Sequence, residues 1–287
     1  MKISTEIASA ARLVGEEKAV EYVAKAGFDA WDFSMFAMCK WDWGTGRVLP
    51  TDHPLAGPDY LALARRLKQI GLDNGITCNQ SHAPFPTNNP HIRSHLKRAI
   101  ECTAEAGGKI CVIHPDNNAT PAENAEFYLE LLPFAKDHGV KIATENMWNW
   151  NKETDMAAPA ACSDPASFNA HFDAVNDDYF VACLDIGHAE MRGLNTSAVE
   201  LILALGPRLQ ALHIHDNDLW HDSHQIPFTM NIDFEAMVKA LKKIGFTGDF
   251  TLEADQYLGK YRKDDVLGGL KELAQSARKL AGMFEQL

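Results

Sequence analysis

The stretch Leu209-Gln-Ala-Leu-His-Ile-His-Asp-Asn-Asp-Leu-Trp-His-Asp-Ser-His224 begins as an apolar run and ends as a cluster of histidines and aspartates, without one lysine or arginine. In a strand, successive side chains alternate between faces, so His213 and His215 point the same way. Two imidazoles side by side at a strand end call for a partner, and neutral imidazole is the commonest protein ligand for a metal ion. A polar pair exposed in a loop would look the same in isolation. The rest of the chain separates the two readings.

On both sides of this stretch, short apolar runs alternate with helical patterns. Strands are expected over residues 2–7, 28–34, 76–81, 109–113, 140–144, 179–184, 209–214 and 249–252. Helices are expected between them: 16–26 stopped by Gly27, 58–70, 90–106 closed by Gly107 and Gly108, and 264–283 at the end. A glycine free to take positive φ is the usual helix stop. Another helix opens with Thr120-Pro121-Ala122-Glu123, a capping threonine with proline in the first turn and glutamate at the third position. An unusually long loop, 35–57, is rich in Trp, Gly and Pro. Eight strand–helix units in 287 residues are what a closed (β/α)8 TIM barrel of the α/β class requires, as one domain over 1–287. A two-domain reading needs a break in the alternation, and none occurs.

The ionisable residues fall at a consistent place in this scheme. His82, His114, Glu145, Asp185, His213 and Glu253 each stand at the end of an expected strand, and in a barrel those ends meet at one mouth. Six such groups brought together without a counter-ion would each cost several kcal/mol in repulsion and lost hydration. A cation at the centre removes the objection. The central assignment is Glu145, Asp185, His213 and Glu253 around one divalent metal ion, with His215 the main competitor to His213. Oxygen ligands with one nitrogen suit Mn, Mg, Co or Zn and do not choose among them. No cysteine lies at a strand end, so the site reads as open and catalytic, not as a closed structural zinc site. Any one of the four taken alone could be an ordinary ion pair or a cap, but that reading does not extend to all four together.

Composition sets the outer bounds. With 27 basic and 39 acidic residues the net charge is −12, which disfavours nucleic acid and anionic membrane as partners. No apolar run approaches the length of a membrane span, and the N-terminus lacks the apolar core of a secretion signal. Cys39, Cys78, Cys102, Cys111, Cys162 and Cys183 form no CxxC pair and several sit inside apolar runs, as buried free thiols do. A reduced, cytoplasmic protein is expected, and self-association into a homo-oligomer is left open.

The pattern Glu145-Asn146, Asp185-x-Gly-His188, His213-x-x-Asp216, Asp222-x-His224 and Glu253 resembles the sugar phosphate isomerase/epimerase superfamily. That group shares the xylose isomerase-like barrel with ketose 3-epimerases, inosose isomerases and dehydratases, and type IV AP endonucleases. The resemblance spans essentially the whole chain, because His82 and His114 match positions where the endonucleases carry metal-binding histidines. It implies one divalent ion held by Glu145, Asp185, His213 and Glu253, with Glu145 and Glu253 flanking a small-molecule sugar and moving its protons. His188 would touch the substrate, and His82, His114, His215, Asp222, His224, Trp148 and Arg192 are further expected substrate contacts. There is one departure: many members carry a Pro-Gly-x-Gly turn where this chain reads Ile226-Pro227-Phe228-Thr229-Met230-Asn231-Ile232-Asp233, so both glycines are missing.

The implied chemistry is proton transfer beside a carbonyl through an enediolate, with the ion as Lewis acid. Isomerisation, epimerisation and dehydration all start there. Trp41, Trp43, Trp148, Trp150 and Trp220 fall in loops at the mouth, where they would face a sugar or pack the loops together. Arg192, Lys260, Arg262 and Lys263 follow the sixth and eighth strands, where such barrels often bind phosphate. A solvated charge run opening the last helix is the preferred reading of these basic residues. Two other functions compete: a metal-dependent phosphodiester hydrolase of the AP endonuclease type, which needs more Lys and Arg than the mouth supplies, and a non-catalytic sugar-binding relative, which has no need of both Glu145 and Glu253.

Overall fold

Eight short parallel strands occupy the centre of the computed structural model, which describes residues 1–287. They are β1 (Ile3–Thr5), β2 (Ala30–Ser34), β3 (Thr77–His82), β4 (Ile110–Val112), β5 (Lys141–Glu145), β6 (Phe180–Asp185), β7 (Leu209–His213) and β8 (Phe250–Leu252). Strands β2 to β7 hydrogen-bond in chain order, and β1 pairs with β8 through Ile3↔Phe250, Ser4↔Thr251 and Thr5↔Leu252. Single bridges at Glu6↔Asp32 and Ile214↔Leu252 join the two pieces, so the ring closes. The chain adopts the α/β TIM barrel expected from its alternation.

The apolar runs form strands because helices cover their outer face, and 71 buried residues make a continuous core between ring and helices. Helix Glu16–Ala26 ends where its sequence says it should, at Gly27 with φ 102°. Helix Pro121–Asp137 opens with both bonds of the capping box between Thr120 and Glu123. Inside the ring, small residues fill the interior: Val112, Ala143, Val181, Cys183 and Ala211 form their own buried cluster. Val112, Ala143, Cys183 and Ala211 lie two residues before His114, Glu145, Asp185 and His213, and so share a face with them. The floor of the mouth therefore rests on a tightly filled layer.

Three features differ from the sequence expectation. The long loop after β2 contains a hairpin, Lys40–Asp42 paired with Arg47–Leu49, and the loop after β5 contains another, Trp148–Asn151 paired with Met156–Pro159. The helix expected over 90–106 is interrupted at Ser94 and His95, giving Pro90–Arg93 and Leu96–Ala106. All six cysteines are free and buried. No helix is long and apolar enough to cross a membrane.

Candidate active site

Glu145, at the end of β5, is the hub of the mouth. Its Oε2 lies 3.1 Å from His114 Nε2 and 3.5 Å from His82 Nε2, and these two ring nitrogens are 2.9 Å apart. Its Oε1 lies 3.1 Å from His213 Nδ1. The same His213 nitrogen is 3.2 Å from Glu253 Oε2, so glutamates from β5 and from the end of β8 converge on one imidazole. The ring of His213 stacks on His82 at 5.3 Å.

Asp185 is turned the other way. Its Oδ1 caps the short helix Ile186–Ala189 through the His188 N–H at 2.7 Å and lies 3.1 Å from His215 Nε2. His215 stacks on His224 at 3.9 Å, and Asp222 reaches His215, His224 and His188 at 3.4, 3.1 and 3.3 Å. The structure thus gathers Glu145, His213 and Glu253 at one point, and Asp185, His188, His215, Asp222 and His224 at a second. The two are contiguous, since His188 Nδ1 stands 3.8 Å from Glu145 and 3.9 Å from Asp185. The two histidines of the motif serve different carboxylates: His213 the glutamates, His215 the aspartates.

Several observations fit a cation here. Asp185 Oδ2 is buried without any partner, which polar atoms in a protein interior seldom are, and His215 Nε2 and Asp222 Oδ1 meet their neighbours at 3.1–3.4 Å without hydrogen-bond geometry. His82, His188 and His224 each donate Nδ1–H to a main-chain carbonyl, of Ala83, Asn146 and Glu253, at 2.9, 2.9 and 2.7 Å. That leaves Nε2 of each ring facing the cluster, the arrangement by which outer hydrogen bonds orient metal-binding histidines.

Residues 20–281 match the model of the xylose isomerase-like TIM barrel family. The chain belongs to that family. An uncharacterized protein of Methanocaldococcus jannaschii, MJ1311, is 24% identical over 272 residues, covering 86% of this chain and 82% of that one. A D-tagatose 3-epimerase-like protein superposes with a TM-score of 0.70 at 20% identity, over 98% of this chain and 99% of the other. The IOLI protein, whose crystal structure contains a bound zinc atom, gives 0.70 at 19% identity over 100% and 99%.

The electrostatics of this xylose isomerase-like mouth divide its carboxylates. Burial alone would raise Glu145, but the imidazoles of His213 and His114 hold it well below the usual range. Burial raises Glu253, and the surrounding histidines do not cancel the effect. Burial pushes His114 down to about 4, while Asp185 and Asp222 overcome burial and lift His188 to about 10. Two glutamates at one imidazole thus differ in their hold on a proton, the pattern from which acid and base roles are built.

Above this floor opens a cavity of about 710 Å3. Trp41, Trp43 and Trp148 line it, whereas Trp150 stacks on His221 and Trp220 lies under Arg192, 4.8 Å from its guanidinium. Arg192 and the basic run at 260–263 do not line the cavity. Two buried acids escaped the sequence reading. Asp32 on β2 lies 3.6 Å from His213 Nε2, and Glu6 just after β1 lines the cavity. Both carried a signal: an aspartate inside the fully buried run Ala30–Ser34, and a glutamate at a strand end like the others.

Proposed function

We propose that the protein is a divalent-metal-dependent sugar isomerase or epimerase in which Glu145 and Glu253 move a proton beside the substrate's carbonyl. The observation that supports it is the convergence of these two carboxylates, from β5 and β8, on His213 at the floor of a cavity large enough for a sugar. The proposed ion is held among Glu145, Asp185, Glu253 and the histidine pair, of which His215 adjoins Asp185 and His213 adjoins the glutamates. A bound divalent ion supplies Lewis acidity to the carbonyl and hydroxyl oxygens of the substrate.

The chain's own groups do the rest. One glutamate takes the proton from the carbon beside the carbonyl, leaving an enediolate. Return of a proton by the same carboxylate to the neighbouring carbon isomerises the sugar, and return by the other carboxylate to the opposite face epimerises it. His188, whose Nδ1 is fixed on the Asn146 carbonyl, directs Nε2 toward Asp222 and the substrate space. The filled layer of Val112, Ala143, Cys183 and Ala211 keeps water from entering beneath the reacting carbons.

Incubating the metal-loaded protein with a panel of ketohexoses in D2O tests this directly. NMR should show solvent deuterium entering at the carbon next to the carbonyl. Glu253→Gln and Glu145→Gln should each slow that exchange by about 10^2–10^4, the usual worth of a positioned acid or base. Unchanged exchange in both variants would remove the glutamates from the mechanism. A second reading is favoured by one observation: Glu145 faces His82 and His114 with one oxygen and His213 with the other, a geometry suited to more than one ion and hence to phosphodiester hydrolysis. It predicts nicking of abasic duplex DNA, which the acidic mouth opposes.

A further inference from the structure

We infer that the substrate is an unphosphorylated, glycosylated sugar: the reacting unit sits over Glu145 and Glu253, and a second neutral sugar ring lies on Phe85 and Trp43 at the rim. The inference rests on the proposed sugar chemistry and names the class of sugar.

Size comes first. A free hexose fills roughly 200 Å3, about six or seven waters' worth of volume, so it leaves most of a 710 Å3 cavity to solvent. The extra space has a definite lining. From the floor outward an aromatic track runs along one wall: the His114 ring is 4.7 Å from Phe85, and Phe85 is 6.0 Å from Trp43. Trp41 meets Trp43 edge-on at 6.2 Å and braces it from behind. Trp43 is 69% exposed, although it lines the cavity and is the largest apolar side chain a protein has to hide. An indole held open at the outer end of a cavity offers a flat face to the C–H side of a pyranose. Trp148 and the polar side chains of Asn88, Asn117, Asn118 and Asn149 are also part of the lining.

Charge decides what the extension is. Glu6, Asp116, Asp222, Glu253 and Asp255 all line the cavity, and Arg12 is the one Lys or Arg among its lining residues. Arg12 already faces Asp255 at 3.8 Å. A phosphate would meet several carboxylates and no Lys or Arg free of a carboxylate partner, so the lining disfavours phosphorylated sugars and suits a neutral ring.

Calorimetry on the metal-loaded protein tests the inference with three probes that share the same reactive carbons: D-fructose, D-fructose 6-phosphate, and isomaltulose, which carries glucose on O6 of fructose. Isomaltulose should bind about tenfold or more tighter than fructose, and fructose 6-phosphate weaker than fructose. Trp43→Ala and Phe85→Ala should each shrink the isomaltulose-to-fructose ratio toward one, and the surface position of Trp43 lets its variant fold. Equal affinities for fructose and isomaltulose, a ratio unmoved by both variants, or tightest binding of the phosphate overturns the inference while leaving the isomerase reading intact. If no probe binds and none exchanges deuterium, both fall together.

Discussion

A methyl group at position 187 would stand 1.9 Å from the His215 ring, a distance no side chain tolerates. Gly187 therefore exists so that the turn after β6 can lie flat against an imidazole that is itself stacked on His224. The ring has nowhere to retreat. Gly187→Ala should lower deuterium exchange into substrate by at least about a hundredfold and cost about 1–3 kcal/mol of stability by overpacking. Circular dichroism should still report a folded barrel; exchange at the native rate would show that His215 is dispensable. Glu6 offers a test of a different kind. Burial, set against its bonds to Ser9, raises its carboxyl from 4.5 to about 7. Between those values the folded chain keeps a proton that the unfolded chain has lost. The associated stability is complete below pH 4.5 and disappears as pH rises through 7, an amount of about 3 kcal/mol. Glu6→Gln should remove that loss, so urea denaturation at pH 5 and pH 8 should show a smaller fall for the variant than for the parent. The same slope in both would mean that Glu6 does not titrate on folding.

The elements show how much a sequence can carry. All eight barrel strands and the helices Glu16–Ala26, Tyr60–Asp73, Pro121–Asp137 and Val266–Glu285 were legible, because their signals are local: a short apolar run, a glycine stop, a capping threonine. Thr120 makes this quantitative, since it accepts the Glu123 N–H and is braced by the Glu123 carboxylate. Thr120→Ala should cost about 1 kcal/mol in urea unfolding, and a value near zero would show the cap to be idle. The hairpins at 40–49 and 148–159 were not legible. Their strands are three or four residues long and carry tryptophans that pack on a neighbouring loop, so no period of two marks a buried face. The division of the histidines was also hidden. Strand alternation puts His213 and His215 on one face, and nothing in that alternation tells that His213 meets the glutamates while His215 meets Asp185. The loop lacking the two glycines keeps its shape by other means: the Asp216 carboxylate accepts the N–H groups of Asn217, Thr229, Met230 and Ile232. Phe228, which follows Pro227 where the related pattern has its first glycine, still adopts the left-handed region at φ 73°. That conformation costs about 1–2 kcal/mol, offset by packing on Phe234 at 5.1 Å and under Lys279 Nζ at 3.6 Å.

For the molecule as a whole, the proposed ion among so many inward-facing carboxylates and imidazoles implies linkage between ion binding and folding. A cation that binds only the folded state stabilises it in proportion to the logarithm of its saturation, about 2.7 kcal/mol at a hundredfold excess over its Kd. Metal analysis of the purified protein should give at least about one divalent ion per chain, and exhaustive chelation should lower the thermal midpoint and abolish deuterium exchange together. A chelated protein that keeps both would remove the ion from the proposal.

Ring closure also imposes an order in time. Glu253 follows β8, which pairs with β1 across 247 positions of sequence, between Ile3 and Phe250. Contacts so distant carry the largest loop-closure entropy, which must be met before they stabilise the sheet. While the ribosome is still making β8, the nascent sheet has two raw edges and the half-built mouth lacks one of its proposed proton carriers. On the proposed mechanism, chemistry is thus withheld until β8 is in place, and the stroke that seals the cylinder is the one that arms it.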